Sequence, residues 1–136
     1  MTKQLIPFLV MPGNAQEAIQ FYKRVLEAEE LTLSKFSDMP EQVSEDIKDH
    51  VAFSLLKIGE SRLMISDSAG STIRSGNLLT ICIETSDVEE SKRIYEGLKI
   101  GGNVNYALSE TTFSPAFANL TDKFGVQFQI LTKNTP

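Results

Sequence analysis

"FLVMPGNAQEAIQFYKRVL", residues Phe8 to Leu26, and "ICIETSDVEESKRIYEGL", residues Ile81 to Leu98, line up at a constant offset, and that agreement decides the fold. In the first stretch Ala15, Ala18, Tyr22 and Val25 fall at i, i+3, i+7 and i+10, and in the second Val88, Ser91, Tyr95 and Leu98 do the same. The spacing draws one apolar stripe down an α-helix. Each helix opens with a capping pattern, Asn14 three residues before Glu17 and Asp87 three before Glu90, which can satisfy the free N–H groups of a first turn. Gly101-Gly102 supplies a stop for the second helix.

An apolar run of strand length precedes each helix, Leu5 to Met11 and Leu78 to Ile83, and three β-like stretches follow each. In the first half these are "ELTLSKF", "VAFSLLKI" and "RLMISD", the last two joined across Gly59-Glu60-Ser61 as a hairpin. In the second they are "NVNYALSE", "FSPAFANL" and "VQFQILT", the last two joined across Asp122 to Gly125. The pattern is βαβββ twice, an α+β fold of one domain over 1–136, with module one at 1–70 and module two at 76–136. An acidic, turn-rich insertion at 37–49 is expected to form a surface excursion or lid, and 66–77 reads as the linker. Two half-sheets, each with a helix on one face, hide their second faces by facing each other, so a pseudo-twofold pair enclosing a cleft is expected.

The last strand states the polarity of that cleft. Side chains alternate across a strand, so Val126, Phe128 and Ile130 share one face while Gln127, Gln129 and Leu131 share the other. One face is core and the other is wetter.

Composition narrows the function classes. With 136 residues and 41% hydrophobic content, the chain can bury a core without metal or disulfide help. A net charge of −5, with 13 scattered basic residues, speaks against nucleic acid and anionic membrane as partners. The apolar start "LIPFLVM" is broken by Pro7 and Pro12, too short for a signal peptide or a membrane span, so a soluble, cytoplasmic protein is expected. Cys82 is the only cysteine; it excludes an internal disulfide, fits a reducing compartment and reads as a small buried hydrophobe.

"NAQEAIQFYKRVL", "GESRLMISD" and "TDKFGVQFQI", together with the repeat, resemble the signature stretches of the PhnB-like branch of the glyoxalase/bleomycin-resistance (vicinal oxygen chelate) superfamily. The resemblance covers nearly the whole chain. It implies the glyoxalase/bleomycin resistance/dihydroxybiphenyl dioxygenase fold, two βαβββ modules paired into a curved, barrel-like mixed sheet, in a homodimer with a cavity on the concave face. It also implies that metal-dependent members chelate a divalent ion with His or carboxylate ligands from the first and last strands of each half, while other members bind and sequester a drug. At those positions this chain offers Leu5, Ile6, Pro7 and Phe8, then Thr80 and Ile81, with Asp67 and Gln129 on the last strands. A neutral amide is a far weaker metal ligand than a carboxylate, so a vacant chelating set, with no metal and no cofactor, is expected. Relatives often carry His at the start of the third strand, where ungapped counting gives Phe53 with His50 three residues earlier, and Trp where this chain has Phe113 and Phe128.

The remaining candidates divide between chemistry and plain structure. His50 beside Asp49 lacks a matched nucleophile and reads as a strand-edge histidine bonded to backbone. Asp67 before Ser68-Ala69-Gly70 reads as a local turn-former. Asp38, Glu41, Glu45, Asp46 and Asp49 lack Ca²⁺-loop spacing and read as a solvated loop. Phe113 and Phe117 flank Pro115 on a strand that the family uses to wall its cavity, with Tyr106 on the strand before. Two functions follow as expectations. The leading one is metal-free binding of a small apolar or planar molecule by Phe53, Tyr106, Phe113, Phe117 and Gln129, with His50 and Thr80 at the margin and no catalytic residue. The rival is a superfamily enzyme, a lyase, isomerase or dioxygenase acting on a small oxygenated substrate, in which His50, Asp67 and Gln129 converge on a metal or proton.

Overall fold

The computed structural model describes residues 2–40 and 43–134; Glu41 of the acidic cluster lies outside them. The chain divides into two compact units, Met1–Arg74 and Ser75–Pro136. In the first, β1 (Phe8–Met11) leads to α1 (Ala15–Val25), then β2 (Glu29–Lys35), β3 (Val51–Ile58) and β4 (Ser61–Asp67). In the second, β5 (Ile81–Thr85) leads to α2 (Val88–Leu98), then β6 (Asn103–Ser109), β7 (Phe117–Thr121) and β8 (Gln127–Thr132). The sheets run β1-β4-β3-β2 and β5-β8-β7-β6. Each has one parallel pair, β1 with β4 or β5 with β8, and its other pairs are antiparallel. The expected βαβββ repeat is present in both halves.

The apolar stripes do what their spacing dictates. On α1, Ala15, Ala18, Ile19, Tyr22 and Val25 are buried; on α2, Ser91, Ile94, Tyr95 and Leu98 are. α1 packs on β4, while α2 lies across β8, β5 and β7. Beneath them sit Leu56, Leu63 and Ile65 in unit one, and Ala118, Leu120, Phe128 and Ile130 in unit two, all buried. Phe128 is therefore a core residue. In β8, burial alternates at every position, with Gln127, Gln129 and Leu131 half-buried and Phe128, Ile130 and Thr132 buried.

Several boundaries differ from expectation. The strands before the helices begin at Phe8 and Ile81, so Leu5 and Leu78 lie outside them, fully exposed. Phe113 to Ala116 is not strand: Ser114 ties it into a turn, its hydroxyl donating to the Thr132 carbonyl (2.7 Å) and accepting from the Ala116 and Thr132 N–H groups. Pro115, which lacks an N–H, suits that turn better than a ladder. Ser66 and Asp67 belong to β4 rather than to the linker.

The insertion is a closed excursion. The Phe36 N–H donates to the His50 carbonyl (3.0 Å) and the Ser37 N–H to the Lys48 carbonyl (2.9 Å), so its two stems are zipped. Its acids are engaged locally: Asp38 accepts from the Lys35 N–H (2.8 Å), and Glu45 pairs with Lys48 at 2.8 Å. After α2, Gly101 adopts φ +75°, and a Cβ at Gly102 would lie 2.3 Å from the Thr121 carbonyl oxygen. The first glycine meets a conformational demand of the turn, and the second lets α2's exit pass directly over β7.

Candidate functional site

Unit two presents its face opposite α2 as a small grid. Cross-strand register aligns Tyr106 of β6, Asn119 of β7, Gln129 of β8 and Cys82 of β5 in one row. The next row on the same face runs Phe117–Leu131–Glu84, and Thr121 pairs with Gln127 on the other side. Two-residue periodicity alone puts these side chains together, because the alternate positions belong to the core under α2.

Aromatic rings wall one end. The Phe117 centroid lies 5.5 Å from Tyr106 and 5.1 Å from Phe113, both edge-on. Tyr106 and Phe113 remain 47% and 55% exposed. Phe113 reaches this cluster from the turn before β7, where Asn134 Nδ2 donates to its carbonyl at 2.8 Å.

Neutral amides fill the rest. Asn105 Nδ2 donates to Asn119 Oδ1 (3.0 Å) and Thr121 Oγ1 (3.3 Å), Gln127 Nε2 to Thr121 Oγ1 (2.7 Å), and Gln129 Nε2 to Cys82 Sγ (3.7 Å). Cys82 is exposed on this face and not a buried hydrophobe, because it falls on the outward phase of β5 opposite Gln129. Enough of its sulfur is covered for burial to push the thiol up; the Gln129 amide partly reverses this, and the Glu84 carboxylate two residues on adds to the rise.

Unit one places its candidates differently. Phe53 is half-buried on β3, and Thr80, of unit two, is half-buried immediately before β5 rather than on it. The Asp67 side chain is buried on the α1 side of β4 and is no local turn-former. Its oxygens accept from the Ala15 N–H and the Val51 N–H, both at 2.9 Å, joining the start of α1 to the start of β3. His50 precedes β3 and bonds through its main chain, but its ring Nδ1 is buried with no partner among the described residues, so the ring is not held by backbone through that atom; Asn14 Oδ1 is buried and unpartnered among them too. The His50 ring instead rests against Gly13, where a Cβ would lie 3.3 Å from Cε1.

The sequence matches over residues 3–131 the family described as 3-demethylubiquinone-9 3-methyltransferase. It is 32% identical to Protein YjdN of Escherichia coli (strain K12), over 93% of this chain and 92% of that one. This chain belongs to the PhnB-like branch of the glyoxalase/bleomycin-resistance superfamily. The fold of PhnB-like proteins is found again in protein PA1353 from Pseudomonas aeruginosa, with a TM-score of 0.89 and 27% identity over 98% of this chain and 100% of that one. It also recurs in a Bacillus cereus PhnB protein titled a 3-demethylubiquinone-9 3-methyltransferase, with a TM-score of 0.81 and 22% identity over 96% and 99%.

The superfamily's metal-dependent members raise the question of a divalent ion, and the side chains here do not fit one. Asp67 has both oxygens committed to backbone N–H groups, and Gln129 contributes an amide where a carboxylate would be needed. Among the described residues no three His, Cys, Asp or Glu side chains gather into a cation site.

Of the residues expected to bind a ligand, Tyr106, Phe113, Phe117 and Gln129 come together at one face of unit two. Asn119 is a further member, which the two-residue alternation in "FANLT" places on the same face as Phe117, and Cys82 joins it in place of the buried role expected for it.

Proposed function

We propose that this protein binds a small apolar or planar molecule on the open face of the second module, without a metal ion and without covalent chemistry. The observation that carries the reading is the trio Tyr106, Phe113 and Phe117, with the Phe117 ring in edge contact with each of the other two, half-buried or exposed beside an uncharged amide row. Exposed aromatic faces cost hydration free energy that a flat ligand recovers by stacking. The family description names 3-demethylubiquinone, whose ring is planar and belongs to the proposed ligand class.

We further propose a homodimer in the cytoplasm. Phe8 and Val10 on β1 and Leu31 on β2 are exposed hydrophobics of the kind that a second copy covers. Among the described residues no helix is long and apolar enough to cross a membrane. Sedimentation of the untagged chain should report twice the monomer mass.

Titration with Nile red, a neutral planar fluorophore, tests the binding site. Phe117→Ala should weaken binding by about tenfold, the loss of one stacked ring. Wild-type affinity in that variant would remove the aromatic wall from the site.

A further inference from the structure

Four neutral side chains on the open face of the second module are held in fixed orientations by one another. Asn119 has its Oδ1 accepting from the Asn105 Nδ2–H (3.0 Å), which assigns its Nδ2 as the donor. Gln129 directs its Nε2 to Cys82 Sγ (3.7 Å), which leaves its Oε1 as an acceptor. Asn119 and Gln129 are direct cross-strand partners, so this donor and this acceptor stand on neighbouring strands, with Cβ atoms about 4.5 to 5.5 Å apart as for any such pair. Tyr106 pairs with Asn119 in the same row, and Phe117 lies one row away.

Charge is the second half of the argument. No Lys or Arg occupies the positions that share this face on β5, β7 and β8, and the only charged side chain there is Glu84, opposite Leu131. An anion would meet no compensating cation and one carboxylate. A ligand that offers only apolar surface would leave the oriented amides without their water, at the cost of their desolvation.

We propose that the ligand of this face is an uncharged planar ring carrying an amide-type edge, a carbonyl oxygen beside a ring N–H. The carbonyl accepts from Asn119 Nδ2, the N–H donates to Gln129 Oε1, and the ring lies against Tyr106 and Phe117. This inference rests on the binding function proposed above and names its ligand class. It makes Asn119 and Gln129 the specificity-determining pair, with the aromatics indifferent to the edge.

Three probes of nearly equal ring size separate the possibilities, each titrated into the full chain and followed by chemical shifts of the Asn119 and Gln129 side-chain amides and the Tyr106 ring. Uracil has the edge and no charge, N,N′-dimethyluracil has the ring without the N–H, and orotate has the edge with a carboxylate. Uracil should bind about tenfold tighter than either analogue. Gln129→Leu, which removes the acceptor for the ring N–H, should abolish uracil's advantage over N,N′-dimethyluracil while leaving the latter's affinity in place, whereas Asn119→Leu, which removes the donor to a carbonyl that both carry, should weaken both. Orotate or N,N′-dimethyluracil binding at this face as tightly as uracil would overturn the inference and leave the binding function standing. Failure of all three to perturb these residues would likewise overturn the inference, and only a failure of Nile red to bind would take the binding function with it.

Discussion

Asp67 holds the first module together at its most demanding point. Its carboxylate is buried and takes N–H groups from Ala15 and Val51, which belong to elements far apart in the chain. A buried N–H left unpaired costs about 1 to 3 kcal/mol. Asp67→Ala should therefore lose roughly 2 to 5 kcal/mol in urea unfolding, while Asp67→Asn, which keeps one acceptor oxygen, should lose about half as much. Equal, small losses for both would show that the carboxylate is not the anchor. Cys82 provides a second test at this scale. Because the thiolate is the nucleophile and burial holds the thiol above its ordinary value, alkylation at pH 8 should run slower than for an unstructured cysteine and recover as pH rises. Gln129→Leu removes the N–H that opposes the shift and should slow it further; faster alkylation in that variant would contradict the assigned hydrogen bond. Both residues were visible in the sequence, but their roles were not. A carboxylate before Ser-Ala-Gly reads as a turn because local partners are all that a sequence displays, and the partners of Asp67 arrive only with the tertiary fold.

The helices carry unequal caps, although their sequences promise equal ones. At α2 the Asp87 carboxylate accepts from the Glu90 N–H at 2.7 Å, whereas at α1 the Asn14 side chain makes no cap and its Oδ1 is buried without a partner among the described residues. Asp67 takes over in α1, bonding the first helical N–H from β4. Thr132, the residue of β8 that corresponds to Asp67 by register, works differently. It bonds the buried Ser91 hydroxyl (2.6 Å), which in turn meets Thr85 (2.7 Å), and this is how the polar member of α2's stripe is satisfied. Asp87→Ala should cost about 1 kcal/mol, and Asn14→Ala close to nothing. Thermal melts of the two variants decide it, and an equal loss at both positions would mean that Asn14 caps after all. Helix extents and most strands were legible because the 3.6- and 2-residue periods are local. The start of β7 was not, since Phe113 and Pro115 look like strand continuation until Ser114's bonds to β8 are seen.

At the scale of the molecule, one supersecondary pattern is written twice and spent on different purposes. Both units share strand order and the placement of the helix, and the constant offset between the two helical stretches was enough to see this from the sequence. What the offset could not reveal was which outward residues meet. The row Tyr106–Asn119–Gln129–Cys82 depends on the register of three strand pairs, and a shift of one residue would send it into the core. The neutral amides Asn119 and Gln129 of that row are the basis of the proposed metal-free binding. Metal content of the untagged protein, purified without chelators and assayed by inductively coupled plasma mass spectrometry, tests this most directly. Mn, Fe, Ni and Zn should all lie far below one ion per chain; a single metal near one equivalent, retained through dialysis, would contradict metal-free binding.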